Sequence, residues 1–176
     1  IHDFDMDYPD EVYNKMGKLA LPTMITQLSA MDERNHKIVD IVLDILQEPT
    51  RQILILSERR EQLKSLYTIL ESLNQSAGLY IGGMKDKELK IAETKRIILS
   101  TYAMTSEGFD NPSLNTLLFA TPKTNIEQSI GRILRKVHEI NPIIIDIVDS
   151  YSLFKVQGYQ RRYYYKNKKY ILHKNN

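Results

Sequence analysis

The chain has no cysteine, which removes disulfides, thiolate metal sites and cysteine nucleophiles together. Its four histidines, His2, His36, His138 and His173, are scattered without ligand spacing, so no metal site is expected. No apolar run is long enough to cross a bilayer and no secretion signal is visible, so no membrane partner is expected. A G-x-x-x-x-G-K-[ST] phosphate loop is also missing. Gly17-Lys18 lacks both the earlier glycine and the strand that such a loop needs, and no acidic run follows an early strand. Acidic residues disappear altogether after Asp149. The first residue is Ile1 rather than methionine, and a piece of something longer is expected.

What remains is an ordinary globular composition. With 176 residues, 42% apolar and 26% charged, the chain can build one domain with a real core and a small appendage, and global disorder is excluded. The charge is unevenly placed. Lys155, Arg161, Arg162, Lys166, Lys168, Lys169 and Lys174 follow Asp149, and removing these seven from the net +2 leaves about −5 on residues 1–149.

Residues 1–33 are acidic at the start, contain Pro9, Gly17 and Pro22, and show no period of 2 or 3.6, which predicts a linker or lead-in. From Arg34 to Gln47, Ile38, Ile41, Val42, Ile45 and Leu46 form the stripe of an amphipathic helix ended by Pro49. Five short apolar runs follow, at Ile53–Leu56, Leu79–Ile81, Ile97–Leu99, Thr116–Phe119 and Ile143–Val148. Helix-patterned stretches separate most of them, including one with Leu63, Leu66, Tyr67 and Leu70, a charged one from Asp86, and one from about Asn125 to Lys136. Continuous apolar runs alternating with helices predict strands buried on both faces, hence an α/β, doubly wound parallel sheet flanked by helices. In such sheets ligands gather beyond the carboxyl ends of the strands.

The sharpest local signal is Gln128-Ser-Ile-Gly-Arg132-Ile-Leu-Arg135. Thr124 and Glu127 have capping-box spacing, predicting a helix start near Asn125. At about 100° per residue, Gln128, Arg132 and Arg135 fall within roughly 60° of one another, with Ile126, Ile130, Ile133 and Leu134 opposite. Two permanently charged planar forks on a rigid element suit phosphate oxygens, although a solvated helix face has the same pattern. A second loop, Thr101 to Pro112, follows an apolar strand. Gly108 permits a tight turn, Asp110 offers a carboxylate and Pro112 fixes the exit.

Read together, these segments resemble the second, C-terminal RecA-like domain of superfamily 2 helicases. Ile53-Leu-Ile-Leu-Ser57 resembles motif IV, Thr101 to Asp110 motif V, and Gln128-x-x-Gly-Arg132-x-x-Arg135 motif VI, in the family's order over roughly residues 50–150. Tyr80-Ile-Gly82-Gly83 resembles the turn after the second strand. The run Ser106-Glu-Gly-Phe-Asp-Asn-Pro, with richness in Ile, Asn, Lys and Tyr, looks most like helicases of nucleocytoplasmic large DNA viruses, relatives of the poxvirus transcript-release helicase.

The resemblance implies roles. Arg132 and Arg135 would be arginine fingers reaching the γ-phosphate of ATP, with Gln128 beside them. Gly108 and Asp110 would couple nucleotide to nucleic acid. Thr101, Gly82 and Gly83 would touch a strand's phosphates, with Ser57 and Arg59 as further contacts. ATP and Mg2+ would be held mainly by an N-terminal RecA-like domain preceding residue 1, the partner of this one, and the isolated chain is expected to have no ATPase activity. The other partner implied is single-stranded or duplex nucleic acid, DNA favoured. An intracellular setting follows, and for a viral member the virion and host cytoplasm.

From Tyr151 to Lys174 the basic residues are interleaved with Tyr151, Phe154, Tyr159, Tyr163, Tyr164, Tyr165 and Tyr170. This suits single-strand binding by Arg161, Arg162, Lys166, Lys168 and Lys169 without sequence readout. It equally suits a C-terminal helix whose aromatics, with Leu153 and Phe154 in the core, pack back on the sheet. The expected division is a lead-in over 1–33, a RecA-like domain over 34–150 and a basic aromatic extension over 151–176.

Overall fold

The computed structural model describes residues 1–106, 109–134 and 138–174. Its strands are β1 (His2–Phe4), β2 (Ile53–Ser57), β3 (Ala77–Tyr80), β4 (Ile97–Thr101), β5 (Thr116–Phe119) and β6 (Ile143–Asp149). They form one sheet in the order β1-β6-β5-β2-β4-β3, every pairing parallel. The apolar runs are continuous because both faces are covered. In β2, Ile53 and Ile55 enter one core cluster and Leu54 and Leu56 the other, all at 0% exposure.

Helices α2 (Asp32–Ile45) and α3 (Arg60–Ser72) cover the first face with Ile38, Val39, Val42, Leu63, Leu66 and Leu70. Helices α4 (Asp86–Glu93), α6 (Glu127–Ile133) and α7 (Ser152–Asn167) cover the second, where Ala92, Ile130, Ile133 and Tyr165 share a cluster with Leu54, Ile98 and Leu117. The doubly wound α/β fold is as the pattern of runs predicts. The chain winds from β2 out to β3, returns to β4, then crosses to β5 and β6 on the other side of β2. This reversal places the loops after β4 and β5 on either side of the carboxyl end of β2, the crevice where such folds bind ligands.

Residues 1–33 hold more structure than a lead-in needs. Strand β1 pairs with β6 through His2↔Ile147 and Phe4↔Asp149, and α1 (Leu21–Ser29) buries Met24 and Leu28 against Tyr151 and Phe154. A three-residue edge strand is too short to show a period, and Pro22, which reads as a break, is tolerated in a helix's first turn. The segment after β4 also departs from the predicted loop, since α5 spans Tyr102–Ser106. In the extension, α7 buries Phe154, Gly158, Arg161 and Tyr165, whereas Leu153, expected in the core, is 42% exposed.

Strand β6 carries Asp146 and Asp149, three residues apart and so on opposite faces of the sheet. Each receives an arginine from the helical layer on its side. Arg34 of α2 donates Nε to Asp149 Oδ1 at 2.8 Å and Nη2 to Oδ2 at 2.9 Å. Arg161 of α7 donates Nε to Asp146 Oδ1 at 2.9 Å. Both ion pairs are sealed from solvent, at 0%/0% and 1%/1% side-chain exposure.

Candidate functional site

The segments after β4 and β5 meet at Arg132 and at Tyr102. Arg132 of α6 donates Nη1 to Phe109 O at 2.7 Å and Nη2 to Ser106 O at 3.3 Å, so the segment resembling motif VI grips the segment resembling motif V. The contact is rigid on both sides. Phe109 is 1% exposed and meets the Tyr80 ring edge-on at 4.9 Å, while Ile126, Ile130 and Ile133 anchor α6 in the same cluster. Asn111 adds a tie by donating Nδ2 to Glu93 O at 2.9 Å. Asp110, next to Phe109, and Gln128, one turn before Arg132, are exposed; Arg132 itself is half-buried. Arg135 and Gly108 lie outside the described residues.

Two details of α6 differ from expectation. Its N-cap is Ile126 with no side-chain cap bond, so Thr124 and Glu127 form no capping box. The helix starts two residues later than the Thr124 spacing requires, because Ile126 is drawn into the core at 2% exposure. Leu134, expected on the buried face, follows the last helical residue and is 46% exposed.

At the ends of β2, β3 and β4 the candidates divide. Thr101 is half-buried at the end of β4, its Oγ1 accepting from Met104 N at 3.4 Å. The Gly82-Gly83 turn lies beside it in the sheet, and Gly83 takes φ +91°, a conformation that favours glycine. A Cβ at Gly82 would fall 2.7 Å from Arg60 Nη2, so this glycine leaves room for a guanidinium. Arg60, exposed at the first position of α3, lies outside the segments that resemble helicase motifs, and no sequence signal marks it. Its neighbour Arg59, expected at the nucleic acid, instead donates Nε to Thr26 Oγ1 at 2.9 Å and Nη2 to Pro22 O at 2.7 Å, fastening α1 to the mouth of the sheet. Adjacent arginines are indistinguishable in sequence; only the docking of α1 tells them apart. Ser57 is fully buried and donates Oγ to Gln62 Oε1 at 2.7 Å, so it supports the strand end instead of facing a ligand.

The remaining gap between strand ends is bridged by Lys123, which pairs with Glu58 at 3.0 Å and lies 4.9 Å from the Tyr102 ring centroid. Burial pushes the Tyr102 phenol well above its ordinary range, and its hydroxyl donates to Thr121 O at 3.1 Å. Among the described residues no group of three or more acidic or histidine side chains could hold a metal ion.

The basic tail is only partly a surface. Arg161, expected among the nucleic-acid contacts, is 2% exposed and also donates Nη1 to Lys123 O at 2.9 Å and Nη2 to Ile147 O at 3.2 Å; its charge is consumed inside the protein. Arg162 pairs with Asp3 of β1, and Lys168 with Glu127 of α6 at 3.0 Å. Lys166 and Lys169 are exposed. No described helix is long and apolar enough to cross a membrane.

No protein-family model matches the chain. It is 44% identical over 156 residues to a protein of Acanthamoeba polyphaga mimivirus named "Putative ATP-dependent RNA helicase", the match covering 86% of this chain and 30% of that protein. A protein of the same description from African swine fever virus, Tick/Malawi isolate, is 32% identical over 132 residues, 69% of this chain and 26% of that protein. The chain thus spans under a third of the length of these two relatives. Among solved structures, T4 UvsW superposes with a TM-score of 0.71 at 20% identity, covering 99% of this chain and 41% of that one. Domain 2 of the DEAD-box helicase Mss116p bound to an RNA duplex superposes at 0.59 with 14% identity, covering 85% and 60%. At such identities the structures speak for the fold, and the viral relatives for the lineage. With the six-stranded parallel sheet described above, they show that the chain has the fold of RecA-like helicase domains and is similar in sequence to part of putative helicases of mimivirus and African swine fever virus.

Proposed function

We propose that the chain is the second motor half of an ATP-dependent nucleic-acid helicase or translocase, supplying arginine fingers and part of a strand-binding surface. The observation that carries this reading is Arg132 held by the carbonyl oxygens of Ser106 and Phe109. A guanidinium set rigidly at the switch point of a doubly wound sheet, half-buried and beside exposed Gln128 and Asp110, is placed to meet a polyphosphate from across a cleft. The residues fit that ligand: Arg132 and Gln128, with Arg135 beyond them in sequence, supply positive charge and hydrogen-bond donors. Bound ATP with Mg2+ supplies the phosphoanhydride, and arginine stabilises the charge that develops as it breaks. The sequence has no phosphate loop, so the nucleotide and its metal are held mainly by another domain and the isolated chain does not turn over ATP.

Thr101, the Gly82-Gly83 turn and Arg60 form the strand-facing part of the same loop end. Asp110 lies in the loop between them and Arg132, with Gly108 two positions earlier in sequence, which suits a coupling role. Lys166 and Lys169 add charge from the tail. The mimivirus and African swine fever virus relatives carry the name RNA helicase, so RNA stands beside the DNA favoured by the resemblance.

The test is ATPase turnover of the full-length protein with and without single-stranded RNA or DNA, comparing wild type with Arg132→Ala. Stimulated turnover is expected to fall on the order of a thousandfold, and the better stimulator identifies the track. Unchanged turnover would leave the arginine face as solvated surface and reduce the chain to a binding or regulatory module. Turnover by the isolated chain would sink the division of labour between domains.

A further inference from the structure

We infer that the outward face of α7 is a second contact for single-stranded nucleic acid, with Tyr159 and Tyr163 as the platform on which bases stack. This rests on the nucleic-acid part of the function proposed above and not on its nucleotide chemistry. It concerns a different place: Thr101, Gly82 and Arg60 lie at the β4–β3 edge, whereas α7 packs on β6, at the β6–β1 edge.

The structure sorts the aromatics of the tail. Tyr151, Phe154 and Tyr165 are 5%, 1% and 3% exposed. Tyr164 and Tyr170 are half-buried against Tyr165, with ring centroids 5.9 and 6.0 Å away. Tyr159 and Tyr163 are 52% and 69% exposed, large rings left in water on a helix whose other side is core.

Their surroundings are those of a strand-binding face. One helical turn apart, the two tyrosines point within roughly 40° of each other. Lys155 and Lys166 flank them on one side and exposed Val156, then Gln160 and Asn167, on the other. Ammonium groups on one flank suit a phosphate backbone, and amides on the other suit base edges. No acidic residue occurs after Asp149, and Asp3 of β1, an acid that reaches this helix, is paired with Arg162 and Lys174; a typical protein-docking core would be depleted of charge. The rings are about 6 Å apart along the helix axis, wider than the roughly 3.4 Å between stacked bases of one strand. Bases lying on both must be unstacked from each other, which selects a single strand over a duplex. The platform is braced from within: Arg162 Cζ lies 5.6 Å from the Tyr159 centroid, and Arg162 is itself paired with Asp3 of β1.

The experiment is a fluorescence-anisotropy titration of the 176-residue chain with labelled oligo-U and oligo-dT, without nucleotide, across a salt series. Tyr159→Ala with Tyr163→Ala is expected to weaken binding at least about fivefold per lost stack, with the salt slope unchanged. Tyr159→Phe with Tyr163→Phe is expected to keep wild-type affinity. Lys155→Gln with Lys166→Gln should instead reduce the salt slope by about 0.7 for each charge. An abasic strand should bind wild type as weakly as the normal strand binds the double alanine variant. Wild-type affinity in the alanine variant, equal binding of abasic and normal strands, or no binding by the wild-type chain would each overturn the proposal; a face built for a protein would give the first two. Failure of the motor reading shows in ATPase turnover and leaves this titration as it stands.

Discussion

On the face of the sheet covered by α6 and α7, two arginines reach main-chain carbonyls to different ends. Arg161 is 2% exposed and spends its donors on Asp146, Lys123 O and Ile147 O. Arg132 is half-buried at the mouth of the sheet, its fork turned onto the backbone of the loop after β4. The first ties a helix to a strand where no ligand can reach. The second ties two loops together at the partly exposed mouth of the sheet. On the proposed function, the same side chain is structural or chemical according to how deep along the strand its partner lies, and adjacency to other basic residues in sequence does not decide it.

Breaking the comparison should give effects of different kinds. Arg132→Ala carries the largest, the loss of turnover set out above, and should leave the unfolding temperature close to wild type. Arg161→Ala should do the reverse, because it strands the buried Asp146 carboxylate. A loss of about 3–5 kcal/mol is expected, read from urea unfolding of the chain; a loss below about 1 kcal/mol would show the site to be wetter than the structure indicates. Gly158→Ala sharpens the same point. A Cβ there would collide with both methyls of Val148, so α7 can approach β6 closely enough for Arg161 to reach Asp146 only with glycine at that position. About 1–3 kcal/mol should be lost, and an unchanged unfolding midpoint would mean that the helix can slide. The smallest effect is with pH. Burial raises the phenol pKa values of Tyr8, Tyr102 and Tyr165, so the fold favours the neutral forms. The unfolded chain ionises first, near pH 10, so this contribution is intact below about pH 10 and declines as pH rises beyond it. Denaturant midpoints that stay level from pH 8 to 11 would contradict this.

The core of the fold is legible in sequence because β2, β4, β5 and β6 are apolar runs buried on both faces, a pattern that composition alone exposes. The motif loops are legible because Gln128, Gly131 and Arg132 are spaced by the helix that carries them. What is not legible depends on tertiary partners. Strand β1 is three residues long and exists through its pairing with β6. Arg59 and Arg60 differ only through the docking of α1. The tail looks uniformly basic until α7 is folded, when Arg161 turns inward and Tyr159 and Tyr163 turn outward.

At the β1 edge the first and last described residues of the chain converge. Ile1 N lies 2.6 Å from His173 O, and Asp3 is gripped by Arg162 and by Lys174. Mechanically this corner is a buckle: a pull on the segment entering the domain loads the segment leaving it before it loads the sheet. The two ends are near enough for a short peptide to join them, with new termini opened at the exposed turn of Asn14 to Gly17. Such a circular permutant would keep the sheet order and lose only the freedom of the two ends to part.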